Sequence, residues 1–342
     1  MSLLYDKTIL ITGVAGFIGS SLADKILKEN EQINIIGIDD LNEYYDIRLK
    51  KDRLERLVMH NNFTFVQDTI VNKCNVMNIF ERYHPEVVVN LAAQGGVRYS
   101  IDHPDVYIES NVVGFYNILE ACRYHNVKHL VYASSSSVYG ANKKIPYSTS
   151  DFVDHPVSLY AATKKTDELF AYTYANLYNI PCTGLRFFTV YGPFGRPDMA
   201  YFKFTNKLIN GECIELYNYG NCKRDFTYID DIVTGIVRVI CKTPDKDSNG
   251  VPYRIYNIGN SRPESLIDFV DILHQQLRKA GMLSEKYDLK RHIKLVPMQP
   301  GDVEITYADV SDLERDFDYA PKTTLDVGLG QFVQWYKNYY RI

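Results

Sequence analysis

The chain has 342 residues, 46% of them hydrophobic and 23% charged, with 38 basic and 42 acidic side chains giving a net charge of −4. That length can bury a large core, and the composition excludes a disordered or fibrous chain. The charges are dispersed rather than gathered into a basic footprint, so nothing points to nucleic acid or an anionic membrane, and any phosphate site has to be local.

The opening stretch MSLLYDKTILITG runs straight into a strand pattern, too short for a signal peptide, and no segment is apolar enough to span a bilayer. A cytoplasmic protein is expected. Six cysteines (Cys74, Cys122, Cys182, Cys213, Cys222, Cys241) are scattered without a CxxC pair or a Cys/His cluster, so free thiols and no metal are expected. His125 and His129 lie four apart, but His129 opens the strand-like HLVYASS, which removes the shared helical face a metal would need.

Along the first half, KTILITG, NIIGIDD, FTFVQDT, EVVVNLA, HLVYASS and CTGLRFF read as strands, separated by amphipathic helical stretches. Such continuous apolar runs suit strands covered on both faces, and the alternation predicts an α/β fold: a doubly wound, parallel Rossmann sheet. A helix is predicted over Tyr160–Tyr178, with Ala161, Leu169, Tyr172 and Leu177 on broad apolar faces. After Phe188 the Gly- and Pro-punctuated YGPFGRPDMAYF breaks the pattern, and RIYNIGN (254–260) is expected to rejoin the main sheet. The predicted division is therefore a cofactor domain of residues 1–188 plus about 228–260, and a smaller, discontinuous α/β substrate domain of about 189–227 plus 261–342.

The first strand ends in Thr12-Gly13-Val14-Ala15-Gly16-Phe17-Ile18-Gly19-Ser20 and passes directly into a helical stretch. In this GxxGxxG spacing Gly13 makes the tight turn, Gly16 admits a pyrophosphate, and Gly19 lets helix pack on strand, with Phe17 and Ile18 opening the helix toward the phosphates. Twenty residues beyond Gly19, Asp39 ends the second strand, where a carboxylate accepts from the adenosine ribose and repels a 2′-phosphate. NAD is thus expected over NADP. Asp68 is a candidate for the adenine edge, and Ala92, Ala93 and Gln94 sit where small residues let a cofactor pass.

Tyr160 and Lys164 in YAATK are one helical turn apart, so both side chains point to one spot, where an ammonium favours the phenolate and makes a tyrosine a usable base. Ser134 to Ser137 end the fifth strand, on the edge where chemistry is expected in such sheets. Together TGVAGFIGS, SSSSVYG and YAATK resemble the extended short-chain dehydrogenase/reductases, in their nucleotide-sugar epimerase and dehydratase branch. The blocks GGVRYS, HPVSLYAATK, GLRFFTVYGPFGRPDMA, RDFTYIDDIV and QPGDV extend the likeness over nearly the whole chain and are most similar to UDP-glucuronate 4-epimerases.

The resemblance implies that Tyr160 is the base on the sugar 4-hydroxyl, that Lys164 tunes it and binds the nicotinamide ribose, and that Ser135 shares the proton network with Ser136 and Ser137 assisting. It implies bound NAD, C4 epimerisation of a UDP-hexuronic acid through a 4-keto intermediate, and a place in polysaccharide biosynthesis. Arg224 and Arg196 would offer guanidinium groups to the diphosphate or the sugar acid, and Asp302 would hold the uridine ribose. Thr189 and Gln299 stand where the galactose epimerases carry asparagine and arginine; Thr189, with Arg98 and Ser100, is a candidate for the C6 carboxylate. A homodimer is implied too, through the Tyr160 helix and the helix around Val112–Tyr124.

Oxidising C4 of a uronic acid gives a β-keto acid prone to lose carbon dioxide, so a UDP-glucuronate decarboxylase is a rival. By resemblance the decarboxylases carry Thr-Ser-Glu before VYG, and the 4,6-dehydratases an Asp-Glu pair. Here that place is Ser135-Ser136-Ser137, without an acid. Epimerisation is favoured, with C4 epimerisation of a UDP-N-acetylhexosamine or UDP-glucose the closer alternative.

Overall fold

The computed structural model describes residues 7–299 and 303–342. The chain begins with β1 (Thr8–Thr12), α1 (Phe17–Glu29), β2 (Asn34–Asp39), α2 (Ile47–Val58), β3 (Phe63–Gln67), α3 (Lys73–Tyr83) and β4 (Val87–Asn90). Two short helices, α4 (Tyr99–Asp102) and α5 (Pro104–Tyr107), lead through a π-helical turn at Ile108–Val113 into α6 (Gly114–Tyr124); β5 (His129–Ser135), α7 (Leu159–Tyr178) and β6 (Cys182–Phe187) follow.

Strand and helix alternation makes these crossovers parallel, and β10 (Tyr253–Ile258) returns much later to extend the same sheet, as RIYNIGN predicts. Seven strands of the described residues lie in the order β10-β6-β5-β4-β1-β2-β3, all parallel. The order reverses at β1, which pairs with β2 on one side and β4 on the other, so a crevice opens there beyond the strand ends.

The continuous apolar strands are explained by the two cores they feed. Ile9, Ile11, Ile35, Val87, Val89 and Val131 pack on one face, while Leu10, Ile36, Val88, Leu130 and Tyr132 pack on the other. Successive side chains of a strand point to opposite faces, so a sheet covered on both sides needs an apolar residue at every position. Each such buried aliphatic side chain contributes about 1.5–3 kcal/mol over leaving it in water. Helix α7 departs from the expected pattern: Ala161, Ala171 and Ala175 are buried, but Leu169 and Leu177 are 56% and 63% exposed. Small residues, rather than its leucines, seat this helix on the sheet.

After β6 come β7 (Thr189–Tyr191), α8 (Ala200–Ile209), β8 (Ile214–Leu216), β9 (Lys223–Tyr228) and α9 (Ile229–Ile240), and after β10 come β11 (Pro263–Ser265), α10 (Leu266–Lys279), β12 (Ile293–Leu295), α11 (Ser311–Phe317) and α12 (Leu325–Tyr340). Two small sheets form here, β11-β9-β7 and β12-β8. Buried Asp225 on β9 ties the first of these to the chain just after β10: its Oδ1 accepts from the Asn260 amide at 2.7 Å, and its Oδ2 accepts from the Ala308 amide at 3.1 Å. No helix of the described residues is long and apolar enough to cross a membrane.

Candidate active site

A cleft of about 630 Å³ opens over the strand ends, lined on one side by the glycine turn and on the other by β7, Arg196 and Arg224. At its floor Gly13 has φ +69° and its amide donates to the Ile38 carbonyl at 2.8 Å. A Cβ there would meet the Ala92 amide nitrogen at 2.8 Å, and one at Gly19 would meet the Gly13 carbonyl oxygen at 2.2 Å. Both glycines are therefore sterically required. Helix α1 starts at Phe17 with no side-chain cap from Gly16, so its first amides and its dipole face the cleft, where Gly16, Phe17, Ile18 and Gly19 all form the wall.

Asp39 ends β2 at the cleft. Its Oδ2 accepts from the Ala15 amide at 3.0 Å and its Oδ1 from the Leu41 amide at 2.9 Å, while the Lys50 ammonium lies 3.9 Å from Oδ1. Burial raises its pKa above the ordinary value, against the pull of Lys50. Asp68 also lines the cleft; it accepts from the Thr69 amide at 2.7 Å and from Asn75. Ala92, Ala93 and Gln94 complete this half. An uncapped helix start over a glycine cradle, with a carboxylate at the next strand end, fits the pyrophosphate and adenosine ribose of NAD.

In the other half, Ser158 caps α7 by accepting from the Ala161 amide at 3.1 Å, which fixes the first turn carrying Tyr160. The ring of Tyr160 meets Tyr107 edge to face at 6.0 Å between centroids. Lys164 is 2% exposed, and its Nζ donates to the Ala133 carbonyl at 3.0 Å and to Asp167 Oδ2 at 3.1 Å. Ser135 Oγ accepts from the Ser137 amide at 3.2 Å and donates to Ser137 Oγ at 3.1 Å, and Ser135, Ser136 and Ser137 all face the cleft with Tyr160 and Lys164. The Ser134 hydroxyl is committed instead to Glu168 Oε1, to which it donates at 2.7 Å.

Thr189, Arg196, Arg98 and Arg224 are all in the lining. Arg196 is held by Asp198, Nε to Oδ1 at 3.0 Å and Nη2 to Oδ2 at 2.7 Å, and the Tyr44 hydroxyl donates to the same Oδ2 at 3.2 Å. Burial would raise the Asp198 carboxyl, but Arg196 outweighs it and holds it below the usual carboxylate range. The Arg98 guanidinium lies 4.7 Å over the Tyr217 ring, and Arg224 Nη1 donates to the carbonyls of Lys223 and Glu304, each at 3.0 Å. Two expected substrate residues are not in the lining, Ser100 and Gln299; Ser100 is buried and donates to the Val97 carbonyl at 2.6 Å, since the short helix α4 turns it inward. Asp302 lies outside the described residues.

Several residues of this site escaped the sequence reading. Asn111, in the π-helical turn, receives the Gln94 amide at 2.8 Å and donates to the Gln94 carbonyl at 3.1 Å and to Thr163 at 3.0 Å, locking the end of β4 to α7. Tyr44 and Asp198 meet across 154 positions, a separation no local pattern reports. Asp167 did have a signal, its i+3 spacing from Lys164.

A family model described as GDP-mannose 4,6 dehydratase matches residues 10–332. Protein CapI of Staphylococcus aureus is 52% identical over 97% of this chain and 99% of its own length. A probable UDP-glucuronate 4-epimerase of Rhizobium meliloti is 40% identical over 97% of each chain. Among solved structures, a Bacillus cereus UDP-glucuronic acid 4-epimerase in complex with UDP-glucuronic acid and NAD superposes with a TM-score of 0.85 at 30% identity, covering 97% of this chain and 100% of that one. Likeness of this extent, over a cleft built for a dinucleotide, makes the chain a member of the GDP-mannose 4,6 dehydratase family of extended short-chain dehydrogenase/reductases and an NAD-dependent UDP-sugar 4-epimerase.

Proposed function

We propose that the protein interconverts UDP-glucuronate and UDP-galacturonate by inverting C4 through a transient 4-keto sugar. The observation that supports this reading is that a single cleft is lined by Tyr160, Lys164, an acid-free serine turn, Thr189 and Arg196. Bound NAD supplies the acceptor and donor of the C4 hydride. The Tyr160 phenolate takes the 4-hydroxyl proton during oxidation and, as the phenol, returns it during reduction, while Lys164 stabilises the phenolate and holds the nicotinamide ribose. Ser135, with Ser136 and Ser137, hydrogen-bonds the reacting oxygen. Thr189, Arg98 and Arg196 bind the C6 carboxylate, Arg224 binds the diphosphate, and Asp302 is assigned to the uridine ribose. Residues 1–188 and about 228–260 hold the cofactor, and residues of about 189–227 and 261–342 hold the nucleotide sugar.

One observation favours a second reading. Asp198 already balances the charge of Arg196, so a neutral C6 group, as in UDP-glucose or a UDP-N-acetylhexosamine, meets no uncompensated cation. Offering UDP-glucuronate, UDP-glucose and UDP-N-acetylglucosamine separately, and resolving C4 epimers from pentose and 4-keto-6-deoxy products, decides among these. Turnover of UDP-glucuronate to its C4 epimer is expected; a pentose product would make the protein a decarboxylase. Tyr160→Phe is expected to cut turnover about 10²- to 10⁴-fold with NAD still bound.

A homodimer through α6 and α7 is part of the same reading. Ile108, Val113, Tyr116 and Tyr124 on one segment and Leu169, Leu177 and Tyr178 on the other are exposed, an apolar surface that a second copy would cover. Light scattering at assay concentration is expected to give twice the chain mass, and a monomer would end this assignment.

A further inference from the structure

Tyr160, Lys164 and Asp167 stand at i, i+4 and i+7 along α7, a single stripe running from the cleft into the protein. Lys164 and Asp167 are 2% and 1% exposed, and their ion pair closes at 3.1 Å. Two of the three ammonium hydrogens go to Asp167 and the Ala133 carbonyl, so one is left for the cleft that Lys164 lines. Asp167 Oδ1 has no partner among the described residues.

Its neighbour shows what full compensation looks like. Glu168 accepts from Arg186 at 2.8 and 2.9 Å, from Ser134 at 2.7 Å and from Lys165 at 3.3 Å, and despite burial these bonds hold it below the usual carboxylate range. Asp167 has one cation and a bare oxygen, an arrangement in which a buried carboxylate is poorly stabilised.

Resting on the assignment of Tyr160 as base and Lys164 as its tuner, we propose that Asp167 is a positioning residue: it tethers the Lys164 ammonium and so sets, according to pH, how much positive charge reaches the Tyr160 phenol and a cofactor ribose. Besides Asp167 the charged groups on the same helix are Lys164, Glu168 and Lys165, the last paired with Glu168 at 3.3 Å. From β5 come the Ala133 carbonyl and the Ser134 hydroxyl; from β6 comes Arg186, committed to Glu168; from α5 and the π-helical turn come Tyr107, Asn111 and exposed Glu109. Burial outweighs Lys164 and pushes the Asp167 carboxyl up to about 7. Below that pH Lys164 faces the cleft uncompensated; above it, Asp167 cancels much of its charge.

Seven residues along a helix is about 10 Å, a range over which a unit charge is still felt at an effective dielectric of about 20. The test uses the full chain, Asp167→Asn, and Asp167→Ala in case the amide packs poorly. NAD affinity is titrated calorimetrically at pH 5.5 and 8.5. Both variants are expected to bind NAD about threefold or more tightly than the parent at pH 8.5 and equally at pH 5.5. A parent-to-variant affinity ratio that is the same at both pH values overturns the proposal. Full turnover by Tyr160→Phe would instead remove the base assignment, and the NAD titration would still decide the role of Asp167.

Discussion

Arg196 and Asp198 form a two-pronged ion pair inside the cleft, which fixes the plane of the guanidinium and leaves Nη1 as its uncommitted end. That end lies over Gly95, where a Cβ would come within 2.5 Å of it. A lysine keeps the charge but loses the planar fork. Arg196→Lys is therefore expected to lower kcat/KM for UDP-glucuronate about 10- to 100-fold, mostly through KM, with a smaller effect on any neutral UDP-sugar that is turned over. Steady-state kinetics with both substrate types checks this, and an equal loss for both would remove Arg196 from carboxylate recognition.

The contact between Gly19 and the Gly13 carbonyl has a similarly direct consequence. Because the obstruction at 2.2 Å is backbone, an added methyl cannot be accommodated by a side-chain shift, and α1 must lift from the turn. Gly19→Ala should cost about 1–3 kcal/mol of stability and at least about tenfold in NAD affinity. Urea unfolding and calorimetric titration measure the two; unchanged NAD binding would mean that the helix start does not hold the pyrophosphate.

The glycine turn, the strand runs and the Tyr160–Lys164 pair were legible because each is a local pattern whose spacing directly reflects backbone geometry. Arg196 was nameable as a type of residue, but its clamp was not, since Asp198 and Tyr44 meet only when the loop after β2 folds across the cleft. The inward turn of Ser100 onto the Val97 carbonyl was not legible because the one-turn helix α4 sets its direction, and four residues of sequence do not fix where such a turn points. Leu169 and Leu177 misled for a different reason: apolar periodicity reports an apolar face without saying whether the sheet or another surface covers it.

Asp39 joins the glycine turn to the loop after β2 by accepting one amide on each oxygen. An asparagine presents a donor where one of those amides points, so one bond is lost, and Lys50 loses the counter-charge 3.9 Å away. Asp39→Asn is expected to bind NAD about tenfold more weakly while its preference for NAD over NADP narrows, since a 2′-phosphate no longer meets a carboxylate. Titrating both dinucleotides against parent and variant tests this; an unchanged preference would assign the discrimination elsewhere.

His129 supplies the clearest dependence of stability on pH. Burial at the start of β5 pushes its pKa down from 6.5 to about 4, with Nε2 2.9 Å from the Thr183 hydroxyl. The folded protein thus keeps this imidazole neutral where the unfolded chain protonates it. Its contribution is fully present above pH 6.5 and is lost as pH falls toward 4, a change of about 3 kcal/mol for the 2.5-unit difference. Glutamine at this position keeps a polar group near Thr183 and does not titrate. In urea unfolding between pH 7 and 4.5, His129→Gln should start less stable than the parent and lose less with acidification, so the two curves converge. Parallel curves would show that the ring is protonated, or exposed, in the folded state.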